Sequence, residues 1–348
     1  LPILDKSNEK ELARYNEFIR SSKYTHATQD INWSQVKTGW DNEQVYVERD
    51  GEIVAAMSLV IKSVIFNYSM LYAPRGPVCD ITDVDLVNEL VCEADKVAKK
   101  HNAFMLRFDP EVIYDENIES RYLNSGYKVR NRDKDKDDLI QPRYNMILNI
   151  QDHDEESLMS KFKSKTRYNI RLARRKGVTV TYSDSDETLD IFYKLYEDMS
   201  KRKGIGYRPY RYFKDMRDAY KGSLRIYVAE HEGDYLAAGI SINYGGKVWY
   251  VYGGSTSYKR NLMASHLLQW EMIKWGLETN AHEYDFGGVF VLDNKDGLYR
   301  FKNGFCHEDG VTEFIGEFDR VYKPSIYYAF TNIVPKVQEL KRKLKRSA

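Results

Sequence analysis

The 348 residues are 42% hydrophobic and 30% charged, the composition of a soluble globular chain long for one domain and comfortable for two. No run approaches the roughly 20 apolar residues of a membrane span, and three scattered cysteines, Cys79, Cys92 and Cys306, offer neither a disulfide framework nor a metal site. The net charge of +1 hides local asymmetry, because acidic stretches at 80–85 and 184–187 offset basic ones at 161–176 and 336–346, so a polyanion can still be held locally. The 28 tyrosines exceed what a core needs, and each offers a flat apolar face with a hydroxyl, which suits grooves for sugars, bases or peptides. The opening LPILDKSNEK lacks an apolar core behind a basic head, so no secretory signal is expected. It also lacks an initiator Met, so a trimmed or re-engineered start is expected. With no apolar span, signal or disulfide framework, the chain is expected to be cytoplasmic.

In chain order, helices are predicted over 9–21 and 28–40, the second carrying Trp33, Val36 and Trp40. Strands over 44–48 and 53–60 meet at Asp50-Gly51, a strong hairpin signal. A strand over 70–72 runs into Pro74-Arg75-Gly76-Pro77, a rigid turn. Asp83 is a plausible N-cap for a helix to about residue 100, and 104–109 reads as a buried strand ending in Asp109-Pro110. After a strand over 144–150, KFKSKTRYNIRLARRKG (161–177) is a basic helix anchored by Phe162, Ile170 and Leu172. Strands over 227–230 and 235–243 flank Glu232-Gly233, another hairpin. Residues 248–252 are aromatic and β-branched, as a buried strand should be. Gly253, Gly254 and Ser255 break that strand, Ser257, Lys259 and Asn261 form a polar loop, and a helix with a broad apolar face runs from Leu262 to about Gly276. This is either a site where a polar ligand meets a helix N-terminus or an ordinary strand-to-helix turn. A strand over 283–286 and a final helix over 324–345 complete the reading.

The second half repeats the first. GEIVAA (51–56) matches GDYLAA (233–238), and the helix ending His101-Asn102-Ala103 matches the one ending Thr279-Asn280-Ala281. Both matches keep an offset of roughly 180 residues, so two copies of one α/β module are expected. The boundary is placed near 148–154. Residues 1–149 with 320–348 form domain 1 and 150–319 form domain 2, with a cleft between or beside them.

Hairpin, strand, helix and strand is the order of GNAT-type acyltransferases. Most of these bind acetyl-CoA through a Gln/Arg-x-x-Gly-x-Gly/Ala loop, which neither copy has; the second offers Tyr258-Lys259-Arg260-Asn261-Leu262-Met263-Ala264, which argues against a CoA donor. The tandem arrangement, with NLMASHLLQWEMIKWG (261–276), YDFGG (284–288) and LYRFKNGF (298–305), resembles the Fem family. Its members are non-ribosomal peptidyltransferases that move an amino acid from aminoacyl-tRNA to a peptidoglycan precursor. TQDINWSQVK (28–37), LRFDPEV (106–112) and IQPRYNM (140–146) are similar to its FemX-type branch, which uses soluble UDP-N-acetylmuramoyl-pentapeptide. FemA- and FemB-type members carry a helical hairpin in the second domain. Here 200–213 passes directly into KGIGYRPYRYF, so no coiled-coil insertion is expected.

The resemblance implies precursor binding by domain 1 and acyl transfer, with the aminoacyl-tRNA side, by domain 2. The acceptor is the amine of the third stem residue, on the nucleotide-linked or lipid-linked precursor, and the product starts a cross-bridge. An activated ester needs no metal, cofactor or covalent intermediate; the work is to align amine and carbonyl and stabilise the oxyanion. Lys302 matches the lysine that faces the tetrahedral intermediate, against an alternative as a solvated helix lysine. Phe301 is placed to stack on the terminal adenosine or simply to pack in the core. Asp109, at a strand end, is a candidate to orient or deprotonate the amine, or an Asp-Pro turn cap. Lys37 and Arg208 match the pair that grips the diphosphate. Tyr212, Tyr250 and Tyr252 match tyrosines of that groove, the last two on one face of their strand by alternation. Trp40 and Phe104 join the substrate-binding set, Phe104 replacing a family tyrosine. Arg167, Arg171, Arg174 and Arg175 are candidates for tRNA phosphates, and the tail LKRKLKR (340–346) for tRNA or the anionic inner membrane surface. A monomer is expected. The rival functions are a tandem-GNAT N-acyltransferase acting on another amine and a non-catalytic module that binds precursor or tRNA.

Overall fold

The computed structural model describes residues 3–65, 67–134 and 138–336. They form two compact units: the described residues up to Leu139 together with those from Ile315 onward, and Ile140–Phe314.

The first unit opens with α1 (Glu9–Ser21), where the Asn8 side chain accepts a hydrogen bond from the Glu11 backbone. The helix expected over 28–40 is broken. Only a 3-10 turn (Ala27–Gln29) and α2 (Trp33–Val36) are helical, because buried side chains here are spent on distant backbone. Thr28 Oγ1 and Gln29 Nε2 both donate to the Pro74 carbonyl, at 2.7 and 2.8 Å. β1 (Asp41–Arg49) and β2 (Glu52–Ile65) form the expected hairpin. Asp50 and Gly51 sit at φ 51° and 85°, the pair of positive angles that a two-residue turn needs. β3 (Tyr68–Ala73) follows antiparallel to β2. α3 (Val84–Lys100), capped by the Asp83 side chain, buries Val87, Leu90, Val91, Ala94 and Val97 and leads to β4 (Ala103–Phe108), parallel to β3 along its length. α4 (Glu116–Asn124) and β5 (Lys128–Arg130) complete this part.

The second unit starts with β6 (Tyr144–Asn149), which the sequence reading assigned to domain 1. It pairs with a strand of the second sheet, so it belongs to this unit. α5 (Glu155–Lys161), α6 (Ser164–Arg175), β7 (Thr179–Ser183), α7 (Asp186–Lys203) and α8 (Tyr210–Ala219) follow. α7 ends at Gly204 in the left-handed conformation, and six residues later α8 begins, so no coiled-coil arm is inserted there. β8 (Leu224–His231), β9 (Asp234–Tyr244), β10 (Lys247–Ser255), α9 (Ala264–Glu278) and β11 (Glu283–Val289) repeat the first unit's pairing, namely antiparallel, antiparallel, then parallel across a helix. α10 (Gly297–Lys302) and β12 (Thr312–Glu313) close it, with sheet order β12-β6-β11-β10-β9-β8-β7.

The chain then returns to the first unit. β13 (Glu317–Val321) slots antiparallel between β4 and β5, giving β1-β2-β3-β4-β13-β5. A buried ion network fixes it: Arg107 on β4 makes two 2.7 Å bonds to Asp319 and a 3.0 Å contact with Glu317, which also meets Arg130 at 3.1 Å. α11 (Pro324–Tyr328) passes into a wider helical turn, and Phe330 packs its ring 5.2 Å from Phe104. The rest of the predicted final helix beyond 336, with the basic tail 340–346, lies outside the described residues.

Candidate active site

β10 does not break at Gly253 and Gly254. Both pair with β9 and the strand runs through Ser255. They are glycines because there is no room for a side chain: a Cβ at 253 would lie 1.7 Å from the Tyr250 hydroxyl, and one at 254 would lie 2.4 Å from the Tyr196 backbone nitrogen. The polar loop beyond is also committed, since Lys259 pairs with Asp234 at 2.8 Å and Glu232 at 3.3 Å in the β8–β9 turn.

The opening is on the other side of β10. β10 and β11 pair only from Lys247↔Glu283 to Trp249↔Asp285. Past Asp285, β11 also shifts register with β6, resuming at Gly288↔Asn145. Asp285 builds this bulge: its Oδ1 accepts the Gly287 N–H at 2.6 Å, and Gly287 sits at φ 75°, which glycine alone adopts without steric cost. Gly288 is glycine for a second reason, because a Cβ there would fall 2.2 Å from Pro142. Bulges of this kind re-aim groups beside a site.

Lys302, from the last turn of α10, fills the gap. Its Nζ donates to the Gly288 carbonyl at 2.8 Å, and the side chain is only 6% exposed. Burial pulls the ammonium down to about 8, with Asp285 and then Cys306 opposing. Gly288 is its one hydrogen-bond partner among the described residues, so two N–H groups remain for a ligand. A buried ammonium with donors to spare is suited to a developing oxyanion. Phe301 next to it packs edge-on against His266 at 4.9 Å and Phe305 at 5.5 Å. It is half-buried against the core.

A second cluster lies where α7 and α8 meet β10. Arg208 sits over the Tyr212 ring at 5.3 Å, and its backbone N–H donates to the Tyr196 hydroxyl at 3.2 Å. Tyr252 donates to the Tyr212 hydroxyl at 3.5 Å and meets Tyr196 and Phe213 edge-on. Tyr250 is not in this group. A bulge between Tyr250 and Tyr252 breaks the alternation, turning Tyr250 toward Gln269 and Met272 of α9, so the two tyrosines do not share a face as expected.

In the first unit, Lys37 lies 5.1 Å from the Trp33 ring and 6.0 Å from Trp40, which Lys62 also approaches at 5.6 Å. Asp109 is buried, with Tyr72 donating to Oδ2 and the Arg75 backbone N–H donating to Oδ1, each at 2.6 Å. Burial pushes its carboxyl up to about 7 against the pull of Arg75. The two oxygens thus staple the end of β4 to β3 through Tyr72 and to the 74–77 turn through Arg75. Phe104 is fully buried under Phe330 and offers no surface to a ligand, because β13 and the following helical turn cover β4.

The four arginines of α6 divide. Arg167 donates to the Phe162 carbonyl and, at 3.1 Å, to that of Ser160, closing the end of α5 rather than facing a ligand. Arg174 pairs with Glu271 at 2.9 Å. Arg171 and Arg175 are exposed, on the side of α6 that carries exposed Tyr168, itself flanked by Lys165 at 4.8 Å and Arg175 at 5.9 Å.

A profile of the FemAB family matches residues 11–235 and 230–335 of this chain. The chain belongs to the FemAB family. Among FemAB relatives, the UDP-N-acetylmuramoylpentapeptide-lysine N(6)-alanyltransferase of Weissella viridescens is 41% identical over 333 residues, covering 94% of this chain and 98% of that protein. A lipid II:glycine glycyltransferase of Staphylococcus aureus (strain MRSA252) is 27% identical, with 95% of this chain and 96% of that protein aligned over 410 positions. That alignment exceeds the 348 residues here, so the glycyltransferase carries insertions this FemAB chain lacks. The crystal structure of FemX matches with a TM-score of 0.84 at 25% identity, covering 92% of this chain and 98% of that one. A tandem GNAT protein of the clavulanic acid pathway matches at 0.56 and 11% identity, covering 92% and 97%, a likeness of fold alone. The FemAB architecture is thus a tandem of GNAT-like α/β units.

Sequence reasoning missed Asp285, although YDFGG was singled out. An Asp two residues before a glycine at a strand end was the available signal, as in an Asx-type turn. Pro142 and Tyr196 carried no signal, since each acts through a contact with a glycine or hydroxyl far along the chain.

Proposed function

We propose that this FemAB protein is an aminoacyltransferase that moves an amino acid from aminoacyl-tRNA to the amine of the third residue of a peptidoglycan precursor's stem peptide, starting the cross-bridge. The observation that carries this is 41% identity along 94% of the chain to an N(6)-alanyltransferase of UDP-N-acetylmuramoylpentapeptide. The buried Lys302 supports it. The acceptor amine, once neutral, adds to the ester carbonyl; the ammonium of Lys302 meets the oxyanion; collapse breaks the C–O bond to the terminal ribose. The amine's proton leaves with the ribose hydroxyl, and no metal is needed for the balance.

In this reading Arg208, with Tyr212 and Tyr252, takes the diphosphate of the precursor. Asp109 has both oxygens engaged and serves as a structural staple, so proton removal falls to water or substrate. The exposed stripe Lys165, Tyr168, Arg171 and Arg175 takes the tRNA, pairing a stacking ring with phosphate contacts. The donor places the reaction in the cytoplasm, and no described helix is long and apolar enough to cross a membrane. The protein acts as a monomer, with peripheral contact to the inner membrane face when the acceptor is lipid-linked.

The test is to incubate the purified protein with a panel of charged tRNAs and with either the nucleotide-linked or the lipid-linked precursor, then weigh the products. A mass gain of one amino-acid residue, abolished by RNase, is expected. No gain with any tRNA, or acyl transfer from acetyl-CoA without tRNA, overturns the proposal.

A further inference from the structure

The turn at Phe286–Gly287 that leads to Gly288 and Lys302 lies in a break of the ladder: β11 is unpaired with β10 past Asp285 and regains β6 only at Gly288↔Asn145. Within that break one side chain bonds the turn. Asp285 is buried and fixes the turn through its 2.6 Å bond from Gly287 N–H, and the next carbonyl in the turn, that of Gly288, receives the Lys302 ammonium at 2.8 Å. The titratable groups that bear on Lys302 are Asp285 from β11 and Cys306 from the turn after α10. Lys161 and Asp309 lie beyond Cys306 and pair with each other at 3.2 Å, and the Tyr250 phenol of β10 is turned toward Gln269. Asp285 is therefore the one carboxylate bearing directly on the ammonium among the described residues.

We propose that Asp285 is the positioning residue of this site: its carboxylate builds the turn that aims the Lys302 ammonium and supplies the buried negative charge that balances it. This rests on the reading of Lys302 as the group that meets the oxyanion. Asp285 touches neither substrate nor ester. It acts through Lys302, so its effect belongs in kcat and in the pH at which the ammonium is lost, rather than in precursor KM.

The test compares pH–rate profiles, using initial rates corrected for spontaneous ester hydrolysis, for the parent, Asp285→Asn, Asp285→Glu and Lys302→Met. Asparagine keeps an acceptor for Gly287 N–H and removes the charge. Its alkaline limb is expected to move down by about one pH unit or more, with precursor KM within twofold of the parent. Glutamate keeps the charge on a longer arm, so its limb is expected to stay in place while kcat falls about tenfold as the turn is displaced. A parent-like limb and kcat for Asp285→Asn while Lys302→Met is inactive overturns the role of Asp285 alone. A limb displaced equally by asparagine and glutamate likewise overturns the charge role. An active Lys302→Met overturns the underlying assignment of Lys302. Should Asp285→Asn fail to fold, Asp285→Ser, with a smaller neutral acceptor, is read the same way.

Discussion

Replacing Lys302 by Met is expected to trade activity for stability. The ammonium is pulled from its ordinary 10.5 to about 8 by burial. At about 1.4 kcal/mol per pH unit, that shift means the charged form destabilises the fold by roughly 3 kcal/mol. Below pH 8 both folded and unfolded chains hold the proton, so the full penalty applies. Between pH 8 and 10.5 the folded state has released it while the unfolded state has not, and the parent gains stability as pH rises. Met removes the penalty but leaves the Gly288 carbonyl without its donor, a loss of about 1 kcal/mol. The net expectation is a variant about 2 kcal/mol more stable at pH 7, worth roughly 5 °C in Tm, with the advantage gone by pH 11. Turnover should fall by about 10²–10³, the usual loss when one oxyanion donor is removed. Thermal unfolding at pH 7 and 10, set beside single-turnover transfer from charged tRNA, reads both quantities. A variant less stable than the parent at pH 7, or a gap that does not shrink with pH, refutes the buried-charge argument. Parent-like turnover refutes the catalytic one.

On α6, Arg171→Ala with Arg175→Ala should flatten the salt dependence of tRNA binding by about two units of log–log slope or less, measured by titration at several salt concentrations. Arg167→Ala should leave that slope alone and instead lower stability by about 1 kcal/mol, because its guanidinium closes the end of α5. Arg107→Met should leave the buried Asp319 without its cation, while Glu317 keeps Arg130, and cost about 3–5 kcal/mol by denaturant unfolding. Gly254→Ala places its Cβ 2.4 Å from the Tyr196 backbone and should cost about 3 kcal/mol, whereas Gly206→Ala, with nothing within 4 Å, should be close to neutral in the same assay.

Local signals carried much of the architecture. Asp50-Gly51 and Glu232-Gly233 sit at positive φ in the two hairpins that their dipeptides announced, and Asp83 caps α3 as its position suggested. Those features depend on neighbours within a few residues, so periodicity and turn chemistry suffice to find them, and the matched order of the two halves follows from them. Partners far along the chain decided the rest. Pro74 draws Thr28 and Gln29 out of a helix, β11 claims β6 for the second sheet, and a one-residue bulge sends Tyr250 and Tyr252 to different surroundings. Alternation cannot reveal such a bulge, because it arises from how β10 and β9 pair. Lys302 was legible as a candidate through its motif, but its chemistry was not: an ammonium's proton affinity depends on what surrounds it. Only packing supplies the burial, the Gly288 carbonyl and the Asp285 charge that bear on it.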